Sequence, residues 1–195
     1  TKPMLKALLK AYGVEPLDFG IVEDDEEAVS ERIREGLRAA DLVIVTGGTS
    51  VGALDLVPEA VSKLCDFMIH GFAIRPGKPT GFAISNGKPI FMLSGFPVAA
   101  LIGFTILVPP ALEEMLGCRF DPPPRIRGRL LRRVASPPGI RSYIRVRVYR
   151  GESGEVLVEP LRTTGSGILS TLTRGNGLLT IPEEVEGLSL IHISE

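Results

Sequence analysis

Apolar residues recur at helical spacing from the first positions of the chain. Met4, Leu5, Leu8, Leu9 and Tyr12 share one helix face, with Pro3 suited to a first turn and Gly13 to an end. Residues 14–21 are predicted as a strand. Val29, Ile33, Leu37 and Ala40 then mark one face of a second helix. It opens after the acidic run Asp24-Asp25-Glu26-Glu27, whose charges favour a helix N-terminus. Residues 42–45 form a short continuous apolar run, of the type buried on both faces of a parallel sheet. A glycine-rich loop and a helix opening near Pro58 follow, then extended stretches at 68–74 and 81–84. Asn86-Gly87 is a hairpin turn signal ahead of a strand at 90–93. Pro97 opens a long apolar helix that reaches Met115 and stops at Gly117. This alternation predicts a three-layer α/β/α domain with a mostly parallel sheet over residues 1–118.

The pattern then changes. Pro122-Pro123-Pro124 makes a stiff connector, so residues 119–124 read as a linker. Beyond it the runs are short and two-residue periodic, at 126–134, 143–149, 156–161 and 178–181, with Gly and Pro turns between them. Residues 125–195 are therefore predicted as a small all-β barrel domain.

Bulk composition removes several function classes. The chain has 195 residues, 44% of them apolar, which suits a globular protein with an ordinary core. A net charge of -1 gives no case for nucleic-acid binding, and sparse aromatics argue against a base-stacking surface. No run reads as a membrane span or a signal peptide, which points to a cytoplasmic protein with no membrane partner. Cys65 and Cys118 are too few for a disulfide framework or a zinc site. The abrupt helical start suggests a piece of a longer protein.

The strongest chemical signal is Thr46-Gly47-Gly48-Thr49-Ser50-Val51-Gly52-Ala53-Leu54-Asp55, between a buried strand and a helix. Glycines there let backbone amides approach a phosphate, and the helix dipole favours its charge. Ser94-Gly95-Phe96-Pro97 is a second loop of the same kind. Two such loops suggest a ligand cleft along one edge of the sheet; each alone is equally well a tight connection. Arg75-Pro76-Gly77-Lys78-Pro79 fixes two cations on a stiff loop, suiting an anion or a solvated turn. Asp24 and Asp55 read either as helix caps or as a pair holding a hard divalent cation such as magnesium. His70 and His192 belong to no local ligand pattern, and neither Ser50 nor Ser94 sits in a nucleophile motif. Arg125, Arg127 and Arg129, like Arg145 and Arg147, alternate as a solvated sheet face does, or as a contact surface.

In order and spacing, the Thr46–Asp55 loop, Arg75-Pro76-Gly77-Lys78-Pro79 and Ser94-Gly95-x-Pro97 resemble the molybdopterin molybdotransferases, the MoeA and gephyrin family. Tyr143-x-Arg145 and Gly165-Ser166-Gly167 are similar to that family's C-terminal barrel. The resemblance implies an enzyme that takes adenylylated molybdopterin, molybdate or tungstate, and Mg2+, and releases AMP as the metal enters the dithiolene. It implies ligand contacts from Thr46, Gly47, Gly48, Thr49, Ser50, Gly52, Gly77, Lys78, Ser94, Gly95 and Pro97. Asp24 and Asp55 would hold the cation, and Arg75 would neutralise phosphate or molybdate. It also implies a homodimer in the full-length protein, with the cleft completed by the partner's N-terminal segments. The departures are Phe96 and Ser94 in a Pro-Gly-Asn-Pro loop, Gly71 at a lysine position and Thr1 at an asparagine position. They leave open a non-catalytic molybdopterin-binding or scaffold module. A molybdopterin adenylyltransferase or a relative of the competence-damage proteins would share the α/β domain without the barrel.

Overall fold

The computed structural model describes residues 1–48, 56–161 and 169–188. The chain divides into two compact units, one of residues 1–72 and 77–120, the other of residues 73–76 and 121–195.

The first unit begins with α1 (Lys2–Ala11) and α2 (Glu26–Ala39). Asp25 caps α2, its carboxylate accepting the Ala28 amide at 2.9 Å, and Glu26 and Glu27 complement the dipole in the first turn. Then come β1 (Val43–Thr46), α3 (Leu56–Ser62) and β2 (Phe67–His70). A two-residue strand, β3 (Ile74–Arg75), belongs to the second unit. β4 (Gly81–Ser85) and β5 (Lys88–Leu93) form a hairpin, and α4 (Pro97–Leu116) closes the unit. The sheet order is β1-β5-β4-β2. Parallel pairing joins β1 to β5, while β4 and β2 are antiparallel to their neighbours, the geometry a two-residue turn at Asn86-Gly87 requires.

One core lies on each face of this sheet, as the strands' period of two demands. Phe91 and Leu93 face Leu5 and Leu9 of α1 and Phe104, Val108 and Leu112 of α4. Ile90, Met92 and Ala83 face Val29 and Ile33 of α2 and Ala60 and Val61 of α3. Lys88 extends to the carbonyls of Leu37 and Ala40 at 2.6 and 2.9 Å, satisfying the end of α2. α4 is long and apolar enough, by length and composition, to cross a membrane. Here it is a core helix, with Phe104, Val108 and Leu112 fully buried against the sheet.

Residues 14–21, expected as a strand, lie outside the sheet. Side chains hold the segment instead. Asp18 accepts from Lys2 at 2.9 Å and from the Gly20 amide at 2.9 Å, and Arg32 donates to the Phe19 carbonyl at 2.7 Å. Val14 packs on the α1–α4 core and Val22 on the α2–α3 core, so the segment crosses from one face to the other.

The second unit contains β6 (Arg129–Leu130), β7 (Val134–Ala135), β8 (Arg141–Arg150), β9 (Val156–Pro160), α5 (Ser170–Arg174), β10 (Gly177–Ile181) and β11 (Gly187–Leu188). β8 is its spine, pairing with β10 and β9 antiparallel and with β3 in parallel. Leu130, Ile144, Val146, Val158, Leu179 and Ile181 make the core. The expected strand at 126–134 is two short pieces separated at residues 131–133. Asn176 completes the sheet end: its amide side chain accepts from the Val148 amide at 2.7 Å and donates to the Val148 carbonyl at 2.9 Å.

Candidate functional site

β1 and β5 run in parallel and end level, with Thr46 opposite Leu93, so their loops leave the sheet side by side. Gly47, at φ +85°, donates its amide to the Leu93 carbonyl at 3.1 Å. A Cβ on Gly95 would stand 3.3 Å from the Gly47 Cα, tighter than ordinary packing, so the two loops touch backbone to backbone. Gly48 has φ +62°, and a Cβ there would come within 2.8 Å of Val57. Both facts require glycine at that position. Thr46, Gly48 and Gly95 are exposed, and Pro97 is half-buried as the first residue of α4. Among the described residues no side chain caps α4 at its start on this edge. Ser94 is buried and accepts from the Phe96 amide at 3.2 Å, while Phe96 stands 57% exposed.

The same edge collects further groups. β4 starts there, Gly81 being opposite Met92, so the loop carrying Gly77 and Lys78 lies at the strand ends. Gly77, at φ +116°, accepts the Thr80 amide at 2.9 Å, and the Lys78 side chain is exposed. Asp24 is exposed just ahead of α2, next to the N-cap residue Asp25. Thr1, just before α1, donates its hydroxyl to the Gly95 carbonyl. In the sequence Thr1 is marked only by standing at the family's asparagine position; its contact with the second loop is a fact of the fold. Two inward polar atoms, His70 Nε2 and Thr80 Oγ1, are buried without a hydrogen-bond partner among the described residues.

Arg75 lies on β3, grouped with the second unit, exposed and in register with Ser142 of β8. Thr49, Ser50, Gly52 and Asp55 lie outside the described residues. Among the described residues no group of three or more His, Cys, Asp or Glu side chains could hold a metal ion.

Residues 1–114 match the family model described as "Probable molybdopterin binding domain", and residues 127–190 match the MoeA C-terminal region (domain IV). The chain belongs to the MoeA family. It is 40% identical over 184 residues to a protein of Methanocaldococcus jannaschii named "Putative molybdopterin biosynthesis protein", covering 94% of this chain and 43% of that one. It is 30% identical over 186 residues to the molybdopterin molybdenumtransferase of Staphylococcus epidermidis, covering 95% of this chain and 44% of that one. Among solved structures, a molybdenum cofactor biosynthesis protein from Pyrococcus furiosus superposes with a TM-score of 0.78 at 31% identity, covering all of this chain and 62% of that one. A molybdopterin biosynthesis MoeA protein from Pyrococcus horikoshii gives 0.77 at 31% identity, covering 99% and 45%. The chain thus spans less than half the length of these curated relatives. Family membership accounts for the combination of an α/β unit with a small β unit.

Proposed function

We propose that this MoeA-family chain serves molybdenum cofactor biosynthesis by binding adenylylated molybdopterin along the carboxyl edge of β1 and β5, where molybdate enters the dithiolene and AMP leaves. The observation that carries the reading is the backbone contact between the Gly47 and Gly95 loops, with the uncapped start of α4 beside them. Close-packed glycines expose amides that donate to phosphate oxygens, and a helix N-terminus favours their charge. Thr46, Thr49, Ser50 and Ser94 would add hydroxyls, Gly48, Gly52, Gly77 and Pro97 would shape the loops, and Lys78 would supply a cation. Arg75 would neutralise phosphate or molybdate. Asp24 is an exposed carboxylate just ahead of α2, a hard oxygen donor of the kind magnesium takes in ones and twos. Together with Asp55 it would hold the ion, which would offset charge as the phosphoanhydride breaks. The reading places the protein in the cytoplasm, as a homodimer when full-length.

Phe96 favours a second reading, a molybdopterin-binding module without turnover. It puts an exposed aromatic ring where a polar side chain would orient the ligand.

The test follows ligand binding and AMP release separately. The purified chain is titrated with adenylylated molybdopterin, then given magnesium and molybdate, alone and with the N-terminal half of a MoeA relative added. Binding that Gly95→Val abolishes, and molybdate-dependent AMP release that Asp55→Asn abolishes, are expected. Binding without release in both conditions would leave the module reading, and no binding would end both.

A further inference from the structure

Phe96 stands 57% exposed at the start of α4, one residue beyond the Gly95 contact. A single exposed phenylalanine on an ordinary surface needs no explanation. This one is set apart by how and where it is held. Its amide donates to the Ser94 hydroxyl at 3.2 Å and its carbonyl accepts the Ala100 amide at 2.9 Å, so both backbone polar groups are tied. Pro97 follows and disfavours helical backbone at the residue before it; Phe96 is extended, at φ -78° and ψ 127°. On its other side the Gly95 carbonyl accepts the Thr1 hydroxyl, and Gly95 touches the backbone of Gly47. The ring makes no aromatic pair among the described residues, whereas Tyr12, Phe82, Phe91, Phe104 and Phe120 all do. A fixed stretch of chain thus presents an unpaired ring beside the two glycine loops.

We infer that Phe96 determines specificity: its ring stacks on a planar heterocycle of the ligand whose phosphate lies against the Gly47 and Gly95 loops. The inference rests on the proposed ligand edge and holds for either version of it, with turnover or without. Adenylylated molybdopterin carries two flat, nitrogen-rich ring systems, adenine and pterin, each separated from a phosphate by a short linker. A phenyl ring meets either through its π-face and offers no hydrogen bond, so it selects for a flat ring without reading its edges. A platform whose backbone is already ordered loses little freedom when the ligand arrives, which leaves more of the contact to affinity. The glycine loops and Lys78 answer the phosphate, and Phe96 answers the ring joined to it.

The chain contains no tryptophan, so Phe96→Trp puts a single indole at the proposed contact. Adenylylated molybdopterin should bind this variant about as well as the unaltered chain and should change its fluorescence on saturation. Phe96→Ala should weaken binding by roughly 5- to 150-fold, the range that loss of one stacked base carries, with the circular dichroism unchanged. Separate titrations with AMP, molybdopterin and ribose 5-phosphate identify the source of the ring. Whichever of AMP and molybdopterin loses affinity in Phe96→Ala carries the stacked ring. Ribose 5-phosphate, which has no flat ring, should bind both proteins alike. Full-strength binding of adenylylated molybdopterin by Phe96→Ala, an equal loss for ribose 5-phosphate, or tryptophan fluorescence unmoved at saturation would each overturn the stacking and leave the ligand edge in place. Absence of binding by the unaltered chain would instead overturn the ligand reading, and this inference with it.

Discussion

Among the described residues, the buried polar side chains of the first unit are neutral hydroxyls, Ser30, Thr80, Ser85 and Ser94, whereas the second unit buries Arg145 together with Ser136, Ser142 and Thr171. The first has two apolar cores, one on each face of its sheet, and leaves its exposed glycine loops to the edge. The second has one smaller core among the described residues, and its polar groups act as fasteners. Arg145 Nε donates to the Thr171 hydroxyl at 3.2 Å, tying β8 to α5, and Ser136 and Ser142 share a hydrogen bond of 2.7 Å. Burial pushes the pKa of Arg145 down, although a guanidinium stays charged at any ordinary pH. Small units bury a smaller fraction of their surface, so a few polar contacts weigh more in them. The lesson is that hydroxyls make ties in both units, Ser85 donating to the Leu64 carbonyl at 2.6 Å in the first, whereas the second adds a buried charge to its ties.

Truncating a core residue of the first unit should have the largest effect. Phe104 is 1% exposed and packs beside Tyr12 at a centroid distance of 6.0 Å. Phe104→Ala should destabilise that unit by about 3–5 kcal/mol through lost burial and a residual cavity. Hydrogen exchange resolved by segment should register the loss in α1, β5 and α4; an equal loss of protection in β8 and β10 would show that the contrast between the units has no energetic content.

Arg145 sharpens the contrast from the other side. Arg145→Met keeps the length and apolar stem but removes a charge-assisted hydrogen bond, which should cost about 2–3 kcal/mol. Arg145→Lys should recover little, because the ammonium cannot present the Nε–H that Thr171 accepts. Urea midpoints compare the three proteins, and a fully stable lysine variant would mean that charge alone is what the site needs.

How much of this was legible beforehand follows from where the information sits. Helices with a clear apolar face, α1 and α2, and the hairpin at Asn86-Gly87 were set by local pattern and turn chemistry. The two glycine loops were legible as a pair because each follows an apolar strand, yet their contact depends on β1 and β5 ending level, a fact of register. Arg75 reads as part of the Pro76-Gly77-Lys78 loop, but pairing with β8 assigns it to the other unit, which no local pattern encodes. Arg145 and Arg147 have the alternation of a solvated face; Arg147 is exposed, with its guanidinium 5.8 Å from the Tyr149 ring centre, and only Arg145 is buried. Residues 14–21 have strand composition, and strand formation also needs a partner edge, which sequence cannot supply.

That last segment gives the smallest and most local prediction. Both units carry surface carboxylates stabilised by cations, Asp18 by Lys2 and Lys6 and Glu183 by Arg141. Glu183 sits next to a strand already held by its sheet, while Asp18 is among the few contacts that hold a segment outside any sheet. Its pKa is lowered to about 2, first by the Lys2 hydrogen bond and then by the Gly20 amide. A lowered carboxylate pKa stabilises the folded state fully above the unfolded value, about 3.9, and loses that contribution as pH falls toward the folded one. Exposure to solvent keeps the effect on global stability small. Its clearest trace should therefore be local: protection of the Gly20 amide against exchange should hold near neutrality and fall between pH 4 and about 2, without loss of protection in β5. Asp18→Asn should lower that protection at neutral pH and flatten its acid dependence, whereas Glu183→Gln should leave the Gly20 amide unchanged. An acid profile untouched by Asp18→Asn would show that apolar packing of Val14 and Val22, rather than the ion pair, holds the crossing segment.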